Sequence, residues 1–242
     1  MKIQRFLVEK IEFNKDNPRE VILNAKENRE LVHQILNVFR FKTGSQFVLF
    51  DGSGLEFFVE MLVPEKREVV CEIKEERQGI KRGKKLRLCF SMIKKENMEL
   101  VLNMCTQLGV THFTPFISER TVKTGWNLER SNKIVSEAVE QSGFADLPVV
   151  DTEPLKLPKL LEKFKKEREN LDGLCVLDFS GTPLSSVKHL ISVDTIFIGP
   201  EGGFNEKEVE LFKKYNIKTI SLGTSTLRAE TAAVATVSIF LL

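Results

Sequence analysis

Three charged side chains stand beside glycine turns in the last quarter of the chain. Glu201 lies within Ile196-Phe197-Ile198-Gly199-Pro200-Glu201-Gly202-Gly203. Arg228 and Glu230 follow Ile220-Ser221-Leu222-Gly223, in Leu227-Arg228-Ala229-Glu230-Thr231-Ala232. A fixed guanidinium stabilises a developing anion and lowers the pKa of the acid that forms it. A carboxylate within reach can take up the released proton. Of the three, Arg228 carries the stronger claim, with Glu201 or Glu230 as the proton acceptor. The structural alternative is an Arg228 that simply pairs with one of the two glutamates. The glycines have their own alternative, as plain strand-to-helix turns. The spacing fits neither a G-x-x-x-x-G-K-[ST] phosphate loop nor a G-x-G-x-x-G dinucleotide turn. What remains is a bare-backbone cradle, suited to a flat uncharged base and a short zwitterion.

The elements that must position these groups are legible as well. Short apolar runs ending in glycine suit central strands covered on both faces. In open α/β sheets, ligands bind at such strand ends. From residue 85 onward strand and helix signals alternate. Strands are expected at 85–90, 110–117, 174–179, 195–198 and 218–222. Helices are expected at 97–107, 128–141, 157–167, 205–214 and 230–242. That alternation predicts a mostly parallel sheet with helices on both faces. Asn205 and Glu208 form a capping-box pattern that starts a helix just past Gly202-Gly203. Before residue 74 the chain reads mostly as short strands, at 45–50, 55–62 and 67–73. Asp51-Gly52-Ser53-Gly54 joins the first two as a hairpin. A helix over 26–38 places Leu31, Ile35 and Val38 on one face. The pattern predicts a small barrel, and the division is placed at 73/74, giving domains 1–73 and 74–242.

Composition narrows the class. A net charge of +2 over 242 residues does not announce a nucleic-acid binder. The basic residues are concentrated, however: 74–95 holds nine Lys or Arg against two Glu. This segment is either a solvated linker or a strip that contacts phosphates. The four cysteines (Cys71, Cys89, Cys105, Cys175) contain no C-x-x-C pair and read as buried free thiols, so no metal site is expected. His33 and His112 read as packing or capping residues. No signal peptide is expected, and the longest apolar stretch, 231–242, is too short to span a bilayer. These features predict a soluble cytoplasmic protein.

Read as text, I-G-P-E-G-G-F-N-x-x-E followed by L-G-x-x-x-L-R-x-E-T-A resembles the bacterial 16S ribosomal RNA uridine-N3 methyltransferase family. That family belongs to the SPOUT class of trefoil-knotted methyltransferases. Arg5, His33, Val38, Arg40, Gly44 and Phe50-Asp51-Gly52 match its N-terminal pattern. Leu108-Gly109-Val110, Pro115, Ser118-Glu119-Arg120 and Glu140-Gln141 match its central one. The match runs in order along nearly the whole chain.

The resemblance implies an N-terminal PUA-like β-barrel that helps hold RNA, then an α/β domain whose C-terminal segment is tucked through a loop. It implies S-adenosyl-L-methionine as cofactor, held by loops after three strands. Here those are Leu177 and Asp178; Ile198, Gly199, Pro200, Glu201, Gly202 and Gly203; and Ser221, Leu222, Gly223 and Leu227, followed by Arg228 and Ala232. The substrate would be 16S ribosomal RNA or the small ribosomal subunit, met by Arg5, Arg40, Lys81, Arg82, Lys84, Lys85, Arg87 and Arg120. Uracil N3 must lose its proton to become nucleophilic, which is where Arg228 would act. A homodimer is implied, and the apolar run Ile239-Phe240-Leu241-Leu242 needs a cover. The chain departs from the pattern at Met104, Gln107, Phe144, Ser225 and Ala229. These departures are expected to spare the glycine cradle and to alter dimer contacts or the RNA surface. Two alternatives stand beside this reading: a non-catalytic RNA-binding module of the same fold, and an α/β enzyme acting on a free nucleotide.

Overall fold

A computed structural model describes residues 3–9, 11–122, 125–187 and 192–242. Two residues of 1–73 at its start, and residue 10, therefore lie outside the description. Contacts divide the chain into two compact units: 1–81 with 139–147, and 82–138 with 148–242.

The first unit contains β1 (Arg5–Leu7), β2 (Glu20–Asn24), α1 (Arg29–His33), β3 (Gln46–Phe50), β4 (Leu55–Pro64) and β5 (Glu68–Gln78). They form one sheet in the order β1-β3-β4-β5-β2, antiparallel except for β1 beside β3. The expected barrel and hairpin take this form. Alternation along β4 turns Phe57, Val59 and Met61 inward, where they meet Phe6, Leu23, Ile35, Phe47 and Leu49.

Two expectations are corrected here. Val38, expected on the inner face of the helix, is 62% exposed. The helix loosens into a π-turn over Gln34–Val38, so a 3.6-residue period no longer predicts which side chains face the core. The division at 73/74 is also displaced. The β5 ladder continues to Gln78, which pairs with Leu55, so 74–78 belong to the first unit. Backbone pairing outweighs the change in composition that marked 74. Residues 139–147 join the same unit: Arg5 Nη2 donates to Phe144 O at 2.9 Å, and Leu7 N to Glu140 Oε1 at 2.7 Å.

The second unit is the expected alternation. It runs β6 (Arg87–Ser91), α2 (Lys95–Leu108), β7 (His112–Ile117), α3 (Leu128–Ser142, its last turn in the first unit), β8 (Val149–Val150), β9 (Leu155–Lys156) and α4 (Leu157–Glu167). It continues with β10 (Leu174–Pro183), α5 (Leu184–Val187), β11 (Thr195–Ile198), α6 (Glu206–Lys214), β12 (Lys218–Ser221) and α7 (Ala229–Leu241). All strands are parallel, in the order β12-β10-β11-β6-β7-β8, with β9 also on β7. All four residues of β11 are buried, as a strand covered on both faces requires. One face is packed by Phe164, Phe197, Phe204 and Phe212, whose rings meet mostly edge to face. Helix α7 packs along α2 and reaches β6 and β11.

Candidate active site

The chain turns sharply at the C-terminal ends of β11 and β12 and within β10, the strand between them. Those turns enclose a cavity of about 240 Å³. Its walls include Leu177 and Asp178 within β10, Ile198 at the end of β11 with Gly199 to Gly203 after it, and Ser221 at the end of β12 with Leu222, Gly223 and Leu227 after it, together with Ala232 from α7. All thirteen of these positions were expected from sequence to hold a cofactor. Gly203 adopts φ +67°, a left-handed turn that favours glycine. The walls combine apolar side chains with bare backbone, which fits an adenine ring and a short amino-acid tail. S-adenosyl-L-methionine is such a ligand.

Arg228 and Glu230 are placed differently. Neither lines the cavity, although Leu227 and Ala229 on either side of Arg228 do. Arg228 caps α7 through its backbone, stays exposed, and makes no ion pair with Glu201 or Glu230 among the described residues. The simple pairing alternative therefore lacks its contact. Glu201 is exposed, with Oε1 3.4 Å from the backbone N–H of Lys94. Glu230 is half-buried, and its Oε2 is shielded from solvent with no hydrogen-bond partner among the described residues.

Sequence reasoning missed several wall residues. Phe179 and Phe204 line the cavity, and within or just beyond the expected third loop, 221–227, so do Thr226, Ser225 and Ala229, none of them singled out from sequence as a cofactor contact. The last two are among the departures expected to spare the cradle, and that expectation is corrected. Ser225 falls inside the turn between Gly223 and Leu227, and Ala229 is the first residue of α7, so both positions face the same opening. Met104 is 45% exposed on α2 and Gln107 bonds Asn103, away from the cavity walls.

A buried carboxylate braces the turn. Glu208 closes the expected capping box with Asn205, and also accepts from Ser118 Oγ at 2.8 Å and from the Glu119 N–H at 3.0 Å. This ties the Ser118-Glu119-Arg120 loop to the start of α6. Arg120 Nη1 then donates to Gly202 O at 2.7 Å, so Arg120 stands at the rim of the site.

The other basic residues separate into two groups. Arg40, Lys81, Lys84 and Lys85 are exposed, and Arg82 is half-buried. Lys84 Nζ lies 5.5 Å from the Phe240 ring centroid. Two expected RNA contacts instead turn inward. Arg5 pairs with buried Glu56 at 2.7 Å, its side chain 14% exposed. Arg87 reaches Asp151 at 3.7 Å, donates to Thr114 Oγ1 at 3.2 Å and stacks over Phe164. Their partners are far away in sequence, so composition could not distinguish an inward guanidinium from an outward one. His112 is a packing residue, its Nε2 2.7 Å from Asp151 Oδ1.

The comparisons agree with the geometry. A family model described as an RNA methyltransferase domain matches residues 81–241, and one described as an RNA methyltransferase PUA domain matches 28–74. The chain belongs to this RNA methyltransferase family. Ribosomal RNA small subunit methyltransferase E of Rickettsia conorii is 33% identical, with 86% of this chain and 84% of that one aligned. The enzyme of the same name from Bacillus subtilis is 31% identical over 84% of each chain. Among solved structures, a ribosomal RNA small subunit methyltransferase E from Neisseria gonorrhoeae, bound to S-adenosyl methionine, superposes with TM-score 0.83. It is 26% identical and covers 98% of this chain and 96% of its own. The methyltransferase thus has the expected two parts, a PUA domain and an α/β SPOUT domain, and its cavity lies at strand ends of the second.

Proposed function

We propose that this chain transfers the methyl group of S-adenosyl-L-methionine to N3 of a uridine in 16S ribosomal RNA. It does so in the cytoplasm and as a homodimer. The observation that carries the reading is the exposed Arg228, without an ion pair among the described residues, at the edge of a glycine-walled cavity. When bound, the cofactor supplies an activated methyl group on a sulfonium. The three strand-end turns hold it, their apolar walls excluding water from one side. Arg228 stabilises negative charge on the uracil oxygens as the N3 proton leaves, which raises the nucleophilicity of N3. The proton passes to a carboxylate. Glu230 offers an acceptor oxygen, Oε2, that has no hydrogen-bond partner among the described residues, and Glu201 offers a solvent-facing carboxylate. The rest is alignment of N3 with the methyl group, a positioning task.

Exposed Lys84, Lys85 and Arg120 supply positive charge for RNA phosphates. The homodimer is supported by Leu100 and Met104, 47% and 45% exposed on the helix that packs against α7. Light scattering after size exclusion tests the dimer, and a stable active monomer would end that claim. Calorimetric titration with S-adenosyl-L-methionine, then incubation with unmodified small subunits and nucleoside mass spectrometry, tests the reaction. Binding of RNA without methylation would favour a non-catalytic module. A methylated product other than N3-methyluridine would overturn the base assignment.

A further inference from the structure

Strand β10 contains an unusual interruption. Leu177 pairs with Ile220 of β12, and so does Thr182. The four residues between them leave the ladder and return to the same partner. The excursion is fixed at both ends. Asp178 Oδ1 accepts from the Ser180 N–H at 2.9 Å and from Ser180 Oγ at 2.6 Å, closing a tight turn. At the other end Gly181 lies flat against the backbone of Ile220, where a Cβ would come within 2.5 Å of the carbonyl carbon. Only a residue without a side chain permits that approach. Phe179 sits at the tip, 61% exposed.

Exposure rises along this segment, from Val176 in the core through half-buried Leu177 and Asp178 to Phe179. All three of the latter line the cavity. The ring therefore stands at the mouth, while Leu177, Ile198 and Ala232 supply apolar wall farther in. A large aromatic held out to solvent on a rigid turn, beside a ligand cavity, calls for a flat partner arriving from outside. Single-stranded RNA provides one, because extruded bases stack on aromatic side chains.

We propose that the Phe179 ring is the platform on which the target base stacks when it enters the site. The inference rests on the uridine reading above and adds the residue that receives the base. Stacking needs the face of the ring and no hydrogen bond, so it holds the pyrimidine while leaving N3 free for Arg228 and the methyl donor. It also requires the base to be out of its helix, where pairing would cover N3.

The test uses Phe179→Ala, Phe179→Leu and Phe179→Tyr in the full chain, checked for native thermal unfolding. Unmodified small ribosomal subunits serve as substrate and S-adenosyl-L-homocysteine as the calorimetric probe of the cofactor cavity. Phe179→Ala and Phe179→Leu are expected to lower kcat/KM for the subunit about 5- to 100-fold, the range that base–aromatic stacking supports. Phe179→Tyr restores it, and all three bind the probe as the native chain does. The proposal is overturned if Phe179→Leu keeps full kcat/KM, since the ring would then be mere bulk. It is equally overturned if affinity for the probe falls in step with kcat/KM, since the ring would then serve the cofactor's adenine. Nucleoside analysis of the product made by the native chain judges the uridine reading separately from the variants.

Discussion

Replacing Arg5 should unfold part of the protein without loosening its hold on RNA. Arg5 and Glu56 are 14% and 6% exposed at the side chain and 2.7 Å apart. Arg77 also bonds Glu56 at 3.0 Å but is 48% exposed, so it can relax into water. Removing one partner of a buried pair leaves a charge without compensation, a loss of about 3–5 kcal/mol. The lower end applies here, for two reasons. Arg77 keeps part of the Glu56 charge paired, and the Arg5 Nε is itself a buried donor with no partner among the described residues, so its removal relieves a standing penalty. Arg5→Met, which keeps an apolar stem but removes the guanidinium over Phe50, is expected to lose about 3 kcal/mol. Hydrogen exchange at the Phe47 and Val59 amides of the β3–β4 ladder reads that loss locally. Arg77→Met should lose no more than about 1 kcal/mol, as an exposed pair does. Equilibrium RNA binding across a salt series supplies the decisive contrast. A phosphate contact contributes about 0.7–0.9 to the logarithmic salt slope. If Arg5→Met keeps its exchange protection and lowers the slope by that amount, Arg5 is an RNA contact and the inward assignment is wrong.

Further outcomes follow from the site and the core. Arg228→Ala should reduce the single-turnover methylation rate at saturating RNA about 100-fold or more while cofactor affinity holds, the scale of losing a preorganised charge-stabilising donor; full rate at saturation would refute the mechanism. Lys84→Ala with Lys85→Ala should weaken RNA binding and flatten its salt dependence, and methylation unchanged across the salt series would make the strip a mere linker. Burial by itself would raise the carboxyl pKa of Asp151, but hydrogen bonds from His112 and Thr114 and the Arg87 charge outweigh it and hold the value below 3.8. Such a depressed group stabilises the fold above its unfolded pKa and loses that contribution as pH falls through the folded one. The stability gap between the native chain and Asp151→Asn in urea titrations should therefore be full at pH ~7 and shrink below pH ~4, where aspartate ordinarily protonates. Burial also pushes the Cys71 and Cys175 thiols up to about 12. A thiol reagent at pH ~8 should label neither until denaturant is added, and rapid labelling of the folded protein would contradict their placement.

Much of the fold was legible because periodicity and punctuation agreed. Residues 157–167 and 195–198 fall where the sequence places a helix and a strand, since an amphipathic face and a buried β-branched run are local signals. The cavity was legible for the same reason, its glycines ending strands. Features set by distant partners were not. Glu208 reads as a cap, but its bonds to Ser118 and Glu119 reach across ninety positions and could only come from the fold. Arg87 looks like its exposed neighbours Lys84 and Lys85 until Asp151 arrives beside it. Phe179 looks like the last residue of a strand. Its exposure arises because Leu177 and Thr182 compete for the same stretch of β12, and no pattern within 174–183 records that.

The place of β11 in the sheet carries a consequence for the birth of the protein. Leu88 and Phe90 of β6 pair with Ile196 and Ile198, residues made long after them. During synthesis β6 and β7 can join early, but one edge of β6 stays open until β11 exists. An apolar edge of that kind invites pairing with other chains. Distant pairings also slow folding, because loop entropy is spent before the contact rewards it. Crowding at high expression should therefore trap this chain in aggregates through its unfinished sheet, even where the finished molecule is stable. A chaperone or a lower temperature would raise yield by protecting that one strand edge during the wait.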